Sequence, residues 1–141
     1  MISEKIKVFQ GYDEGYFEEV GDSYVLYHVT NKLNEDGIVR GGLICQQGFR
    51  SEKLNEGSGI YLFTSFDGIE DCLSNWLYEE IDEEHEQKFG NGDCEIILIT
   101  LHVPKSIVHA YGEFDEFVGY EVRINCDVSS EYIKKIEADP F

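Results

Sequence analysis

Four runs of β-branched and aromatic residues constrain this chain more than anything else in it: SYVLYHVT (23–30), GIYLFTS (59–65), CEIILITLHV (94–103) and GYEVRINCDV (119–128). Each is too short for a buried helix and is bounded by Gly, Asn, Asp or Pro, so each reads as a strand. In the first, Val25, Tyr27 and Val29 point one way, and Tyr24, Leu26, His28 and Thr30 the other. In the last, Val118, Tyr120, Val122, Ile124 and Cys126 share one face, and Gly119, Glu121, Arg123 and Asn125 the opposite one.

Between the strands the period changes. NKLNEDGIVRGGL (31–43) suits a short helix, with Asn31 as its cap and Gly41-Gly42 as its end. Asp67 can cap a longer one, in which Ile69, Cys72, Leu73, Trp76, Leu77 and Ile81 form an apolar stripe. Its acidic tail, Glu79 to Glu86, reads as a solvated helix end and lacks the Asp/Asn ladder and central Gly of a calcium loop. Residues 45–58 read as a loop and Asn91-Gly92-Asp93 as a turn. VHAYGEFDEF (108–117) reads as a strand followed by a loop, and SSEYIKKI (129–136) as a short closing helix or turn. More strands fall late than early, which favours an α+β fold over a doubly wound sheet.

At 141 residues the chain is the size of one domain, with residues 1–22 as a lead-in. A domain of roughly 150 residues buries about 70% of its unfolded surface, so no metal or disulfide staple is required. Its 29 acidic against 11 basic residues give a net charge of −18. That disfavours nucleic acid, whose phosphates need Lys and Arg, and anionic membrane surfaces. It permits a basic protein partner. Cys45, Cys72, Cys94 and Cys126 are widely spaced, with no C-x-x-C pair or zinc spacing, and read as reduced, buried thiols of a cytoplasmic protein. Met1 to Lys7 holds no leader-like apolar run, and no segment approaches the roughly 20 apolar residues of a membrane span. No phosphate-binding loop, dinucleotide fingerprint, zinc-protease or nucleophile-elbow motif occurs. His85, His102 and His109 read as surface or strand histidines.

Three segments then stand out together: Leu26-Tyr27-His28-Val29-Thr30, Gly59-Ile60-Tyr61-Leu62-Phe63, and Glu121 within Tyr120-Glu121-Val122. In order, spacing and context, over residues 23–137, they resemble the His, Tyr and Glu motifs of the ADP-ribosyltransferase superfamily, in the branch of diphtheria toxin and the poly(ADP-ribose) polymerases. The resemblance implies a split, mixed β-sheet with flanking helices, NAD as substrate, no metal, and transfer of ADP-ribose to a protein or small-molecule acceptor. Glu121 would stabilise the positive charge that builds on the ribose as nicotinamide leaves, an effect worth roughly 3–4 kcal/mol when well placed. Tyr61 would stack on nicotinamide, His28 would hold the adenosine-side ribose, and the Val29 backbone would hold the carboxamide. Thr30 and Trp76 complete the surround. Arg40 or Arg50, in a net-positive stretch with Lys53, would meet the pyrophosphate.

Alternatives stay open. Glu113 or Glu116 could be the acid in place of Glu121. Gly119, two residues before Glu121, disfavours arginine as acceptor. An RNA 2′-phosphotransferase shares this fold but needs more arginines than Arg40, Arg50 and Arg123. A non-catalytic acidic module binding a basic protein is the reading from another class. The enzyme reading requires His28, Tyr61 and Glu121 to face one cleft, with Glu121 and Tyr61 on the same side of their sheet.

Overall fold

The structure is a computed structural model that describes residues 17–45, 59–90, 95–114 and 121–138. The elements run β1 (Glu18–Val20), β2 (Ser23–Asn31), a 3₁₀ turn (Lys32–Asn34), α1 (Glu35–Gly41), β3 (Ile60–Phe63), α2 (Phe66–Cys72), a π-helical turn (Leu73–Leu77) and α3 (Tyr78–Phe89). Then follow β4 (Ile96–Pro104), α4 (Lys105–Tyr111), β5 (Gly112–Phe114), β6 (Glu121–Ile124), a second 3₁₀ turn (Ser130–Tyr132) and β7 (Ile133–Ala138). The fold is α+β. One sheet has the order β5-β6-β3-β2-β4-β7, with β1 added to β2. All its ladders are antiparallel, where the resemblance implied mixed pairing.

The alternation in β2 sorts the core into two. Tyr24 and Leu26 join Leu62, Ile97, Ile99, Leu101, Val122 and Ile124 on one face, where Val108 of α4 also packs. Val29 joins Phe63, Ile96 and Leu98 on the other, covered by Ile69, Cys72, Leu77 and Ile81 of the long helix. The described members of the helical stripe expected there pack together, with Trp76 outside the described side chains, but the cap is Ser65, whose hydroxyl accepts from the Gly68 amide at 3.0 Å, and not Asp67. Ser65 is still extended, and only an extended residue can turn its side chain back onto the first turn.

Two local expectations are overturned. Residues 108–111, expected to open a strand, end a helix, Lys105–Tyr111, pinned where the Lys105 amide bonds the Asp22 carbonyl at 2.8 Å, and the strand begins only at Gly112. Of residues 129–136, expected as a short helix or turn, Ser130–Tyr132 form a 3₁₀ turn, but Ile133 onward belongs to an edge strand, Ile133–Ala138. Ile133 and Ile136 have helical spacing, yet they pair with Leu101 and Ile99 because the register slips by one residue between Thr100 and Leu101. The slip is a bulge that brings two residues three apart onto one face.

β2 and β3 meet at a single register pair, Tyr27↔Phe63. Beyond it the strands part, and the sheet is in effect two half-sheets: β5-β6-β3, and β1-β2-β4-β7.

Candidate active site in the split of the sheet

The parting of β2 from β3 opens a cavity of about 460 Å³, within the roughly 300–1,000 Å³ of small-molecule sites. One lip is His28 to Asn31 at the end of β2, and the other is Gly59 to Tyr61 at the start of β3. The 3₁₀ turn and α1 supply Leu33, Asn34, Gly37 and Ile38; the segment after α1 supplies Gly42, Leu43 and Ile44. α3 closes the remaining side with Glu80, Ile81, Glu84 and Lys88.

The lips are tied across the gap by one side chain. His28 Nδ1 lies 2.9 Å from the carbonyl oxygen of Tyr61. A carbonyl only accepts, so Nδ1 carries the hydrogen and donates, and the neutral ring keeps Nε2 as an acceptor. Burial pushes His28 below the ordinary histidine range; the bond to Tyr61 and the Glu84 carboxylate oppose that in part. His28 is therefore neutral at pH 7 and suited to accepting a hydrogen bond from a ligand hydroxyl.

The end of β2 is held just as specifically. Asn31, which the sequence offered as a cap, accepts the Leu33 amide at 2.8 Å through Oδ1. That fixes its amide, so Nδ2 donates to His85 Nδ1 on α3. Thr30 Oγ1 accepts from Asn34 Nδ2 at 3.0 Å. His85 is thus a buried helix residue binding β2 to α3, not a surface or strand histidine. His109 is likewise in a helix, 2.8 Å from the Tyr24 hydroxyl.

Of the residues expected around NAD, the structure gathers His28, Val29, Thr30 and Tyr61 at this cavity. The Val29 side chain is buried in the core, which leaves its backbone toward the gap. Glu121 lies on the Tyr61 side of the sheet: Tyr61 pairs with Arg123, Phe63 with Glu121, and paired residues share a face. Glu121 is buried and does not itself line the cavity. Glu113 bonds Arg123 at 2.8 Å across the β5–β6 ladder, and the Arg123 stem lies so close over Gly59 that a β-carbon there would fall 2.6 Å from it. Arg40 is exposed on α1, outside the cavity lining. Arg50, Lys53, Glu116 and the side chain of Trp76 lie outside the described residues.

The acidic run Glu79 to Glu86, read as a solvated helix end, instead supplies part of the cavity wall. Glu84 and Lys88 form an i,i+4 ion pair at 2.7 Å. With Glu80 they make the described charged lining two carboxylates and one ammonium. The spacing of Glu80, Glu84 and Lys88 with the inward Ile81 was the available signal: all lie within about a turn of the buried stripe. Among the described residues no group of three or more His, Cys, Asp or Glu could hold a metal ion. No described helix is long and apolar enough to cross a membrane.

No protein-family model and no curated protein matches this chain. Among solved structures the fold is similar to that of EcPltA, with a TM-score of 0.50 at 10% sequence identity, over 86% of this chain and 85% of that one. At that identity the likeness is one of fold.

Proposed function

We propose that this protein is an NAD-dependent ADP-ribosyltransferase, or NAD glycohydrolase, working in the split of the sheet. One observation carries the reading: the two half-sheets part so that His28 on one lip and Tyr61 on the other meet at 2.9 Å over a ligand-sized cavity. In the reaction, the bond between ribose C1′ and the nicotinamide nitrogen breaks and its electron pair leaves with nicotinamide. Water or a protein or small-molecule nucleophile then attacks C1′ and gives up its proton. Tyr61 would stack on the ring. Neutral His28 would accept a ribose hydroxyl through Nε2. Glu121, on the Tyr61 side of the sheet, is the carboxylate assigned to the developing ribose charge. The nicotinamide ring of NAD is cationic, which suits the Glu80–Glu84 wall. The pyrophosphate needs cations, and Arg40, Arg50 and Lys53 are the candidates in the sequence. The acidic chain favours a protein or small acceptor over nucleic acid, and a cytoplasmic setting supplies NAD.

The test is nicotinamide release from NAD by the purified chain. Glu121→Gln should lower release about 10²–10³-fold; undiminished release removes Glu121 from the mechanism. Tyr61→Ala and His28→Ala should each weaken NAD binding. No release and no NAD binding by the wild-type chain would end the enzyme reading.

The acidic lining also supports a second reading, a non-catalytic module that binds a basic protein through the α3 wall. That binding would weaken steeply with salt. Partner binding unchanged between low and high salt excludes it.

A further inference from the structure

Cys45 and Cys126, 81 positions apart in the chain, are brought into the same neighbourhood beside the cavity, with Cys45 bonded to Asn125 and Asp127. Leu43 and Val128 form an antiparallel bridge in which each amide donates to the other's carbonyl at 2.9 Å. Such a reciprocal pair holds its Cα atoms about 5.5 Å apart. Two residues beyond this isolated bridge on either segment lie Cys45 and Cys126. Two further contacts fix Cys45 there. Its amide donates to Asp127 Oδ1 at 2.8 Å, and its thiol donates to Asn125 Oδ1 at 3.3 Å, so Cys45 is held by the residues on both sides of Cys126. Both cysteines are half-buried and pack against the same core cluster. They are not the fully buried thiols that the sequence suggested; Cys72 alone among the described cysteines is.

Gly42 shows that the two segments are built to lie this close. It has φ +77°, and a β-carbon on it would fall 2.4 Å from the Val128 carbonyl oxygen. Disulfides span Cα separations of roughly 4.4–6.8 Å, a range that the hydrogen bonds from Cys45 to both neighbours of Cys126 bring within reach.

We infer that Cys45 and Cys126 are an oxidation site that closes to an intramolecular disulfide. With a peroxide as oxidant, one thiolate attacks the peroxide oxygen, giving a sulfenic acid and releasing water. The other sulfur then displaces a second water as the Sγ–Sγ bond forms. The two thiols lose two hydrogens and two electrons in all, and one hydrogen peroxide becomes two waters. Cys45 gives up its bond to Asn125 in the process. Leu43 and Ile44 line the cavity, so the bond anchors that wall to the end of β6, and a dithiol reductant releases it. This does not depend on what the cavity binds.

The experiment treats the full-length chain with mild hydrogen peroxide, blocks remaining thiols with an alkylating agent, and maps peptides by mass. The expected result is a reducible cross-link between the Cys45 and Cys126 peptides, an intact mass lower by two hydrogens, and a thermal midpoint raised by several degrees and restored by dithiothreitol. Cys45→Ser and Cys126→Ser should each abolish the cross-link, and Cys72→Ser should leave it. The wild-type map is decisive even where a variant folds poorly. Sulfinic acid at either cysteine without a cross-link, disulfide-linked dimers, or a bond to Cys72 or Cys94 would overturn the proposal.

Discussion

Along one edge of β2, all nine residues pair with β4, from Ser23↔Pro104 to Asn31↔Ile96. Along the other edge, β1 takes residues 23–25 and β3 takes Tyr27 alone. The same strand thus has a closed side and an open side. On the closed side Leu26, Ile99 and Leu101 are sealed from solvent, and stability comes from area removed from water. On the open side the last four residues of β2 have no strand beside them among the described residues, and a histidine, an asparagine and a threonine hold the edge instead. Hydrophobic burial has no directional preference and fills space. Hydrogen-bonding side chains can hold a gap at a defined width, which is what a ligand site needs.

The contrast is open to direct tests. Leu101→Ala, on the closed side, should cost about 2–5 kcal/mol in urea denaturation, because a fully buried leucine is lost from a well-packed face. A cost under 1 kcal/mol would mean the closed edge is not where stability resides. Gly42→Ala, at the wall of the open side, combines a left-handed backbone with a close approach to Val128. It should cost about 1–3 kcal/mol. Ser65→Ala removes the cap of α2 just after β3 and should cost about 1 kcal/mol in the same assay.

The smallest effect is one of pH. The folded His28 has a lowered pKa, so the unfolded chain takes up its proton first as pH falls. The stability associated with neutral His28 is intact above its unfolded value of 6.5 and declines as pH drops below that toward the folded value. His28→Gln should flatten that part of the stability curve. An unchanged slope below pH 6.5 would show that His28 is not buried as the open edge requires.

The sequence exposes the closed side far better than the open one. β2 and β4 declared themselves because they are runs rich in β-branched and aromatic or other apolar residues, and the two faces read from β2 are the two faces of the core. Asn31 was legible as a cap because its chemistry is local. His28 and Tyr61 were found only as members of an ordered set of motifs, since nothing in either residue says that the strands between them part. What stayed hidden depends on partners distant in sequence. Residues 105–111, with their β-branched Ile107 and Val108, become helical because the turn docks on Asp22 and Tyr24. Ile133 and Ile136 keep a helical spacing inside a strand because a bulge absorbs the extra residue. Arg40, on the helix after the first motif, is exposed and outside the cavity lining, while Glu84, far from any motif, lines it.

The π-helical turn at Leu73–Leu77 has a consequence for how this chain can vary in length. Among the described side chains, the inward residues of the long helix are Ile69, Cys72, Leu77, Ile81 and His85, with a step of five across the π turn and steps of three or four elsewhere. Losing one residue from α3 would rotate everything beyond it by about 100°, carrying Glu84 and Lys88 away from the cavity. Losing one from the π turn would shorten the step of five to four and leave the same side chains inward. Related chains that are one residue shorter in this helix should carry the deletion there, with an ordinary α-helical turn in place of the π turn.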